Sequence, residues 1–182
     1  MFGDILANKA LVTEFVKVST MFVVSRLLAG GDLTDKKWMM ASLYTTFGFT
    51  VFHLIKQFIP TLSANAKITA AINTAAHIAT MSVVSRLLMG EPMNKQWMMS
   101  SLYTIVGFVV ANPFVADMVP LDFIQHEGLK ASVKDLVIVS SMSVVVRLLE
   151  GKSLSDKNWQ MGILYTSAGF ALYNLVLNRF IN

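Results

Sequence analysis

The stretch Trp97-Met-Met-Ser-Ser-Leu-Tyr-Thr-Ile-Val-Gly-Phe108 is the strongest structural signal in this chain, because two close variants of it occur elsewhere. They run from Trp38 to Phe49 and from Trp159 to Phe170. Each of the three is preceded by a second repeated stretch that contains Arg-Leu-Leu and ends in glycine, at residues 18–30, 78–90 and 139–151. A period of about 60 residues indicates one supersecondary unit used three times.

Each unit contains two apolar segments joined by a short polar loop, which predicts a two-helix hairpin. The three tandem hairpins are expected at residues 1–60, 61–120 and 121–182, and together they form one domain. Proline and small or polar residues mark the linkers between them, at residues 60–67 and 120–130. We predict an all-α fold in which the direct repeats surround a pseudo-threefold axis.

The composition of the 182-residue chain points to a membrane protein, because 54% of its residues are apolar and 14% are charged. Soluble domains contain about 25% charged residues. The second segment of each hairpin has no charge over residues 38–55, 96–116 and 158–178. As helices, the uncharged gaps are about 28–33 Å long, which matches a hydrocarbon core of roughly 30 Å. Pro113 predicts a kink or an end within the fourth segment.

The first segments of the hairpins are more polar, since the first of them contains Glu14, Lys17 and Arg26. Long basic side chains near helix ends reach the membrane interface, so these charges are compatible with spans. We therefore predict six transmembrane helices in a multi-pass protein surrounded by a lipid bilayer. Lysine and arginine are balanced between the two sides, which leaves the orientation open.

The alternative is a soluble helical bundle with very long apolar faces. Three tryptophans argue against it, because each lies where a loop enters a span, as interfacial anchors do. These predicted anchors are Trp38, Trp97 and Trp159.

Small residues recur on one face of each second segment, at spacings of four and three. Such faces let neighbouring helix backbones approach closely in lipid. The predicted packing residues are Ala41, Thr45, Gly48, Ser100, Thr104, Gly107, Gly162, Thr166 and Gly169. The alternative interpretation is a pore or a substrate passage lined by small residues.

Arg26, Arg86 and Arg147 occupy the same position in the three repeats, four residues before a loop glycine. If they face the axis, they form a ring suited to anionic lipid headgroups, phosphate or an acidic partner protein. If they face lipid, they are interfacial anchors. A third interpretation pairs them with acidic residues of the loops.

Motifs of catalytic sites are absent from the sequence, and we expect a protein that is not an enzyme. It contains no cysteine and only three scattered histidines, so neither a metal nor a cofactor is expected. His53 matches Asn112 and Asn174, which indicates a generically polar position. No pair of carboxylates is expected within the spans, because Glu14 and Asp117 lie towards their ends. The scattered net charge of +4 argues against a nucleic-acid partner.

The motif W-M-x-x-S-L-Y-T-x-x-G-F, present at residues 97–108 and nearly matched in the other copies, resembles small multi-pass membrane proteins of large icosahedral DNA viruses. The third copy departs from it at Gln160, Gly162 and Ile163. The resemblance implies a component of the internal membrane of a virion that contacts capsid or other membrane proteins.

Two functions are therefore considered. The first is a structural membrane protein whose loops at residues 30–38, 90–97 and 151–159 dock a partner. A homo-oligomer is compatible with this role. The rival is a small channel or transporter that uses the centre of the six-helix bundle. A conduit should place several hydrophilic side chains towards the axis, whereas a scaffold needs only Ser, Thr and Gly contact faces. On this criterion the sequence favours the scaffold.

Overall fold

The computed structural model of the protein describes residues 9–56 and 65–181, and over these residues it contains helices and no strands. The predicted linker at residues 60–67 lies mostly outside the described residues. The described residues form six long helices: α1 (Lys9–Leu28), α2 (Lys36–Ile55), α3 (Ala66–Leu88), α4 (Lys95–Val110), α5 (Glu127–Leu149) and α6 (Lys157–Leu172). The prediction of an all-α fold with six helices is confirmed.

Two of the helices continue with a change of pitch. After α4 the chain forms a π-helical turn (Ala111–Val115) and a 3-10 turn (Ala116–Met118). After α6 it forms a π-helical turn (Tyr173–Leu177) and a short helix α7 (Asn178–Ile181). The change of pitch falls at the predicted site of Pro113, but Tyr173–Leu177 contains no proline, so proline alone does not cause it.

The ends of the helices explain why the three loops are alike. Asp35, Asn94 and Asp156 cap α2, α4 and α6, and each side chain accepts a hydrogen bond from the backbone N–H of the tryptophan three residues on. At the other end of each loop, a glycine with φ near +67° to +69° follows α1, α3 and α5. This left-handed conformation suits glycine and stops the helix.

The helices contact one another in chain order and the order closes on itself. Each helix contacts the next one along the chain, and α6 also contacts α1. The most extensive contacts join α2 with α3, α4 with α5, and α6 with α1. The described helices therefore form a ring, and a second helix of one repeat packs most closely on the first helix of the next.

Three repeated glycines make this close packing possible. A Cβ atom added to Gly48 would lie 2.7 Å from the backbone oxygen of Met81, and one added to Gly107 would lie 2.9 Å from that of Met142. One added to Gly169 would lie 2.5 Å from the Cα atom of Met21. Because Met21, Met81 and Met142 match one another in the repeats, the contact that closes the ring is the same as the two contacts within it.

The other predicted packing residues behave differently. Thr45 and Thr104 donate hydrogen bonds to the backbone oxygens of Ala41 and Ser100, one turn earlier in their own helices. Thr166 lies on the wall of a central cavity described below. A Cβ atom added to Gly162 would meet nothing within 4 Å, because this glycine faces open space.

Within the part of the chain that the structure describes, three helices are long and apolar enough to cross a membrane, not the six predicted: Lys36–Ile55, Ala66–Leu88 and Lys95–Met118. The reason is the polar content of the others. Charged residues interrupt α1 and α5, among them Glu14, Lys17, Lys134 and Asp135. In α6 and its continuation, Gln160, Asn174 and Asn178 reduce the hydropathy of the segment. Composition alone therefore supports three spans.

The glycine contacts give a testable prediction. Replacing Gly169 by Ala forces the α6 backbone away from Met21, because the new methyl group would meet backbone atoms rather than a flexible side chain. We expect a loss of about 1–3 kcal/mol in the free energy of unfolding, measured by circular dichroism in one detergent.

Gly162→Ala is the matched control, since it adds the same methyl group in open space of the same helix. Alanine is about 1 kcal/mol more favourable than glycine within a helix, so this variant should be at least as stable as the unmodified protein. Equal stability of the two variants would contradict the packing described above.

Candidate functional site

The three repeated arginines bind within their own loops. Arg26 donates to Asp35 at 3.1 Å, and Arg147 donates to Asp156 at 2.6 Å. Arg86 pairs with Glu91. The Nε atoms also donate to loop carbonyl oxygens, those of Asp32, Pro92 and Ser153.

Each guanidinium also lies over the ring of the tryptophan that begins the next helix. The distances from the guanidinium carbon to the ring centre are 5.4 Å at Trp38, 6.0 Å at Trp97 and 5.1 Å at Trp159, which is the range of cation–π contacts. We call each set of arginine, loop acid and tryptophan a loop clasp. The three predicted anchors and the three predicted anion-binding arginines thus belong to the same three clusters.

The acidic residue of the clasp depends on the residue that caps the helix. Asp35 and Asp156 both cap a helix and pair with the arginine. Asn94 caps α4 but carries no charge, and in that loop Glu91 pairs with Arg86 instead. The contact between arginine, acid and tryptophan is therefore retained in the second loop, although the acid occupies a different position there.

Two loop carboxylates are held in their charged form. Hydrogen bonds from the backbone N–H of Trp159 and from the side chain of Arg147 keep the pKa of Asp156 below its usual value. Hydrogen bonds from the backbone N–H and the hydroxyl of Thr34 lower the pKa of Asp32. Both carboxylates are in the exposed loops that join the two helices of a repeat.

The interior of the ring contains a cavity of about 430 Å³ with residues of all six helices on its wall. Apolar side chains, including those of the repeated Phe49, Phe108 and Phe170, form much of the wall. The remainder is polar or charged: Glu14, Lys17, Thr74, His77, Asn112, Lys134, Asp135 and Thr166. A volume of this size is within the range of small-molecule sites, roughly 300–1,000 Å³.

Alignment of the repeats relates the polar residues of this wall to one another and to His53 and Asn174, which lie beside its carboxylates Glu14 and Asp135. Three positions recur around the ring, and we call them the carboxylate, amine and amide positions after their residues in the third-to-first junction. The carboxylate position is Glu14, Thr74 or Asp135; the amine position is Lys17, His77 or Ile138; the amide position is His53, Asn112 or Asn174. Together they form a central layer.

At the junction of the third and first repeats, the central layer is an ion pair. The Lys17 ammonium lies 2.9 Å from one Asp135 oxygen, and Asn174 donates to the same carboxylate at 2.7 Å. Lys17 also lies 5.1 Å from the centre of the Phe170 ring. The pair joins α1 to α5 and is only 25% and 15% exposed, so it is more strongly shielded than a surface salt bridge.

At the junction of the first and second repeats, the layer contains a carboxylate and two imidazoles. The His53 Nε2 atom lies 3.9 Å from a Glu14 oxygen. The rings of His53 and His77 are 5.8 Å apart, and His77 stacks on Phe52 at 4.3 Å. No lysine or arginine takes the place that Lys17 has at the other junction.

At the remaining junction, the layer is uncharged. Asn112 donates to the hydroxyl of Thr74 at 3.2 Å, and Ile138 occupies the amine position. In every repeat the amide position therefore faces the carboxylate position of the same repeat.

Sequence patterns alone do not predict this layer. Glu14 is expected near a helix end and Asp135 is not among the candidate residues, yet both carboxylates lie on the wall of one cavity. The histidines are scattered in the sequence, whereas His53 and His77 are neighbours in the structure. Alignment of the positions four residues before Val18, Ile78 and Val139 would have revealed the carboxylate position.

The clasp of the third repeat gives a prediction about acid stability. A carboxylate with a lowered folded pKa stabilises the folded state above its unfolded pKa, about 3.9, and this contribution is lost as pH falls through the folded pKa. Asp156→Asn retains a capping residue, as Asn94 shows, but removes the titration.

We therefore expect the unfolding midpoint of the unmodified protein to fall more steeply below about pH 5 than that of Asp156→Asn. Thermal unfolding of both proteins in one detergent between pH 7 and pH 3 measures this. Parallel curves for the two proteins would contradict it.

Comparison with known proteins adds no assignment. No protein-family model matches the chain, and neither a curated protein nor a solved structure does. Function is therefore argued from the geometry of the cavity and of the loop clasps.

Proposed function

We propose that all six helices cross a lipid bilayer, as three tandem hairpins around a pseudo-threefold axis, and that the cavity between them is a pathway for a small ion or solute. The observation that carries this proposal is the polar side of the cavity wall. Lys17, Asp135, Glu14 and His77 project from three different helices into one interior space.

The outer surface supports the membrane location. The repeated leucines Leu27, Leu87 and Leu148 are 55%, 64% and 59% exposed, and Leu43, Leu102 and Leu164 are about half exposed. Of the three candidate spans, 22%, 17% and 17% of the residues in the most apolar window are buried. Monomeric soluble proteins rarely expose apolar surface to this extent, and lipid is the solvent that it suits.

The direction of the charges supports six spans rather than three. The residues that lower the hydropathy of α1 and α5 include Glu14, Lys17, Lys134 and Asp135. All four line the cavity, and of them Lys134 also reaches the outer surface, where it pairs with Asp117 and its side chain is 45% exposed. Ionisable residues within membrane helices normally face an interior or an aqueous cavity and pair with one another. The hydropathy of these two helices therefore underestimates how apolar their outer faces are.

The same residues support a conduit rather than a passive bundle. A charged group within a span costs roughly 3 kcal/mol or more, and such groups mark substrate or ion pathways. A scaffold would need only the small-residue contacts at Gly48, Gly107 and Gly169. The hydrophilic side chains expected of a conduit are present on the wall.

A scaffold in an internal virion membrane is the second candidate, and the loop clasps favour it. They fix three similar loops at one end of the ring, where Lys36, Lys37, Lys95, Lys152 and Lys157 are exposed. Such a rigid basic face suits an acidic region of a capsid or membrane protein. This role requires no flux through the centre.

Flux from proteoliposomes distinguishes the two candidates. The purified chain is reconstituted into vesicles, and the release of K⁺, Cl⁻ and glycerol is followed. We expect flux of at least one of them above that of protein-free vesicles. Protein-free rates for all three would contradict the pathway and favour the scaffold.

Variants of the central ion pair connect the flux to the cavity. Asp135→Asn leaves the Lys17 charge without its partner and should raise the ratio of Cl⁻ to K⁺ flux several-fold. Lys17→Met should lower the same ratio for the opposite reason. Asp122→Asn is the control, since this residue is outside the cavity and its side chain is 99% exposed. Equal ratios in all four proteins would contradict a pathway through this cavity.

A further inference from the structure

The cluster formed by Glu14, His53 and His77 differs from its counterparts around the ring. Three neighbouring helices supply it: Glu14 lies on α1, His53 on α2 and His77 on α3. The His77 Nε2 atom lies 3.0 Å from the backbone oxygen of Phe49, and because that oxygen only accepts, Nε2 carries the hydrogen. The Nδ1 atom is then the basic nitrogen of neutral His77.

The His53 imidazole has a buried nitrogen without a hydrogen bond. Among the side chains of residues 9–56 and 65–181, only the His53 Nε2 and Ser167 Oγ atoms are buried and unpaired in this sense. The Nε2 atom faces the Glu14 carboxylate at 3.9 Å, which is close enough for a strong charge interaction but too long for a hydrogen bond.

The repeats show what this junction lacks. Asp135 has a permanent counter-ion in Lys17, whereas the residue at the amine position beside Glu14 is His77. Lys17 lies three residues from Glu14 on α1, but its ammonium is bound to Asp135. Because the Lys17 ammonium is shared with Asp135, further positive charge beside Glu14 comes from protonation of the imidazoles.

The other ionisable groups around the cluster do not supply the positive charge that would balance Glu14. Lys134 on α5 pairs with Asp117 at 3.3 Å, and Lys56 at the end of α2 is exposed. The charged groups that act on His77 are Glu14 and Lys56, and Lys17, Lys134 and Asp135 lie on the same cavity wall. Lys17 neutralises Asp135, and Lys134 neutralises Asp117. Glu14 is the remaining acid, and whether its negative charge is balanced depends on the two imidazoles.

We propose that Glu14, His53 and His77 form a proton-binding site that sets the net charge of the central cavity. One proton taken up from water binds a free imidazole nitrogen, and the resulting imidazolium balances the Glu14 carboxylate. Counted together with Asp117, which pairs with Lys134 from outside the wall, the charged groups around the cavity then change from a net negative charge to zero. Regulation of flux by this change rests on the proposed pathway, but proton binding itself does not.

Nuclear magnetic resonance of the full chain, labelled with ¹⁵N-histidine in detergent or nanodiscs, tests the site directly. At pH 6.5 the ratio of protonated to neutral His53 should be higher in the unmodified protein than in Glu14→Gln, because the variant removes the carboxylate that faces the Nε2 atom. His126 lies at the start of α5, outside the cluster, and is the reference within the same molecule.

Glu14→Thr is a second variant, which introduces the residue that the second repeat has at the carboxylate position. It should lower the His53 ratio in the same way, so either folded variant decides the result. Equal His53 ratios in the unmodified and variant proteins would overturn the proposal. A change of the same size at His126 would also overturn it, because the effect would then not be local.

The flux assay separates the two proposals. If the pathway exists, lowering the pH from 8 to 6 should raise the ratio of Cl⁻ to K⁺ flux in the unmodified protein and leave it flat in Glu14→Gln. If the His53 ratio is lower in the Glu14 variants but no vesicle shows flux, the result supports the proton site and contradicts the pathway. Flux with an unchanged His53 ratio supports the pathway and contradicts the proton site.

Discussion

Four charged side chains of α1 and α5 line the cavity inside the ring, and the proposed pathway and proton site depend on this placement. Glu14, Lys17, Lys134 and Asp135 line the central cavity, while leucines such as Leu27 and Leu148 are exposed outside. An apolar exterior with a charged interior is unfavourable in water, because it exposes apolar surface and shields charge at once. Lipid outside and a polar cavity inside remove both penalties.

The repeated glycines determine where those charges meet. At Gly48, Gly107 and Gly169 one helix backbone approaches another so closely that a Cβ atom would collide with it. This contact fixes the register of each second helix against the first helix of the next repeat. The register in turn brings Lys17 to Asp135 and His77 to the neighbourhood of Glu14, although the residues of each pair are far apart in the chain.

The sequence was sufficient for features that local chemistry determines. Six helices, their break at the repeated loops and the recurring arginines and tryptophans follow from periodicity, capping and glycine. The central layer did not follow, because hydropathy counts a charge without its direction and because register between repeats is a tertiary property. Asp135 is therefore not predicted from the sequence, and Gly162 has the spacing of the packing glycines although it faces open space.

Cysteine labelling from the two sides of the membrane tests most directly whether six helices cross it. The chain has no native cysteine, so Met93→Cys, Phe123→Cys and Ser155→Cys each carry a single thiol in an exposed loop or linker. Six spans predict that an impermeant maleimide labels positions 93 and 155 from one side and position 123 from the other. Labelling of 155 from the same side as 123, as expected if only α2, α3 and α4 cross, would contradict the account.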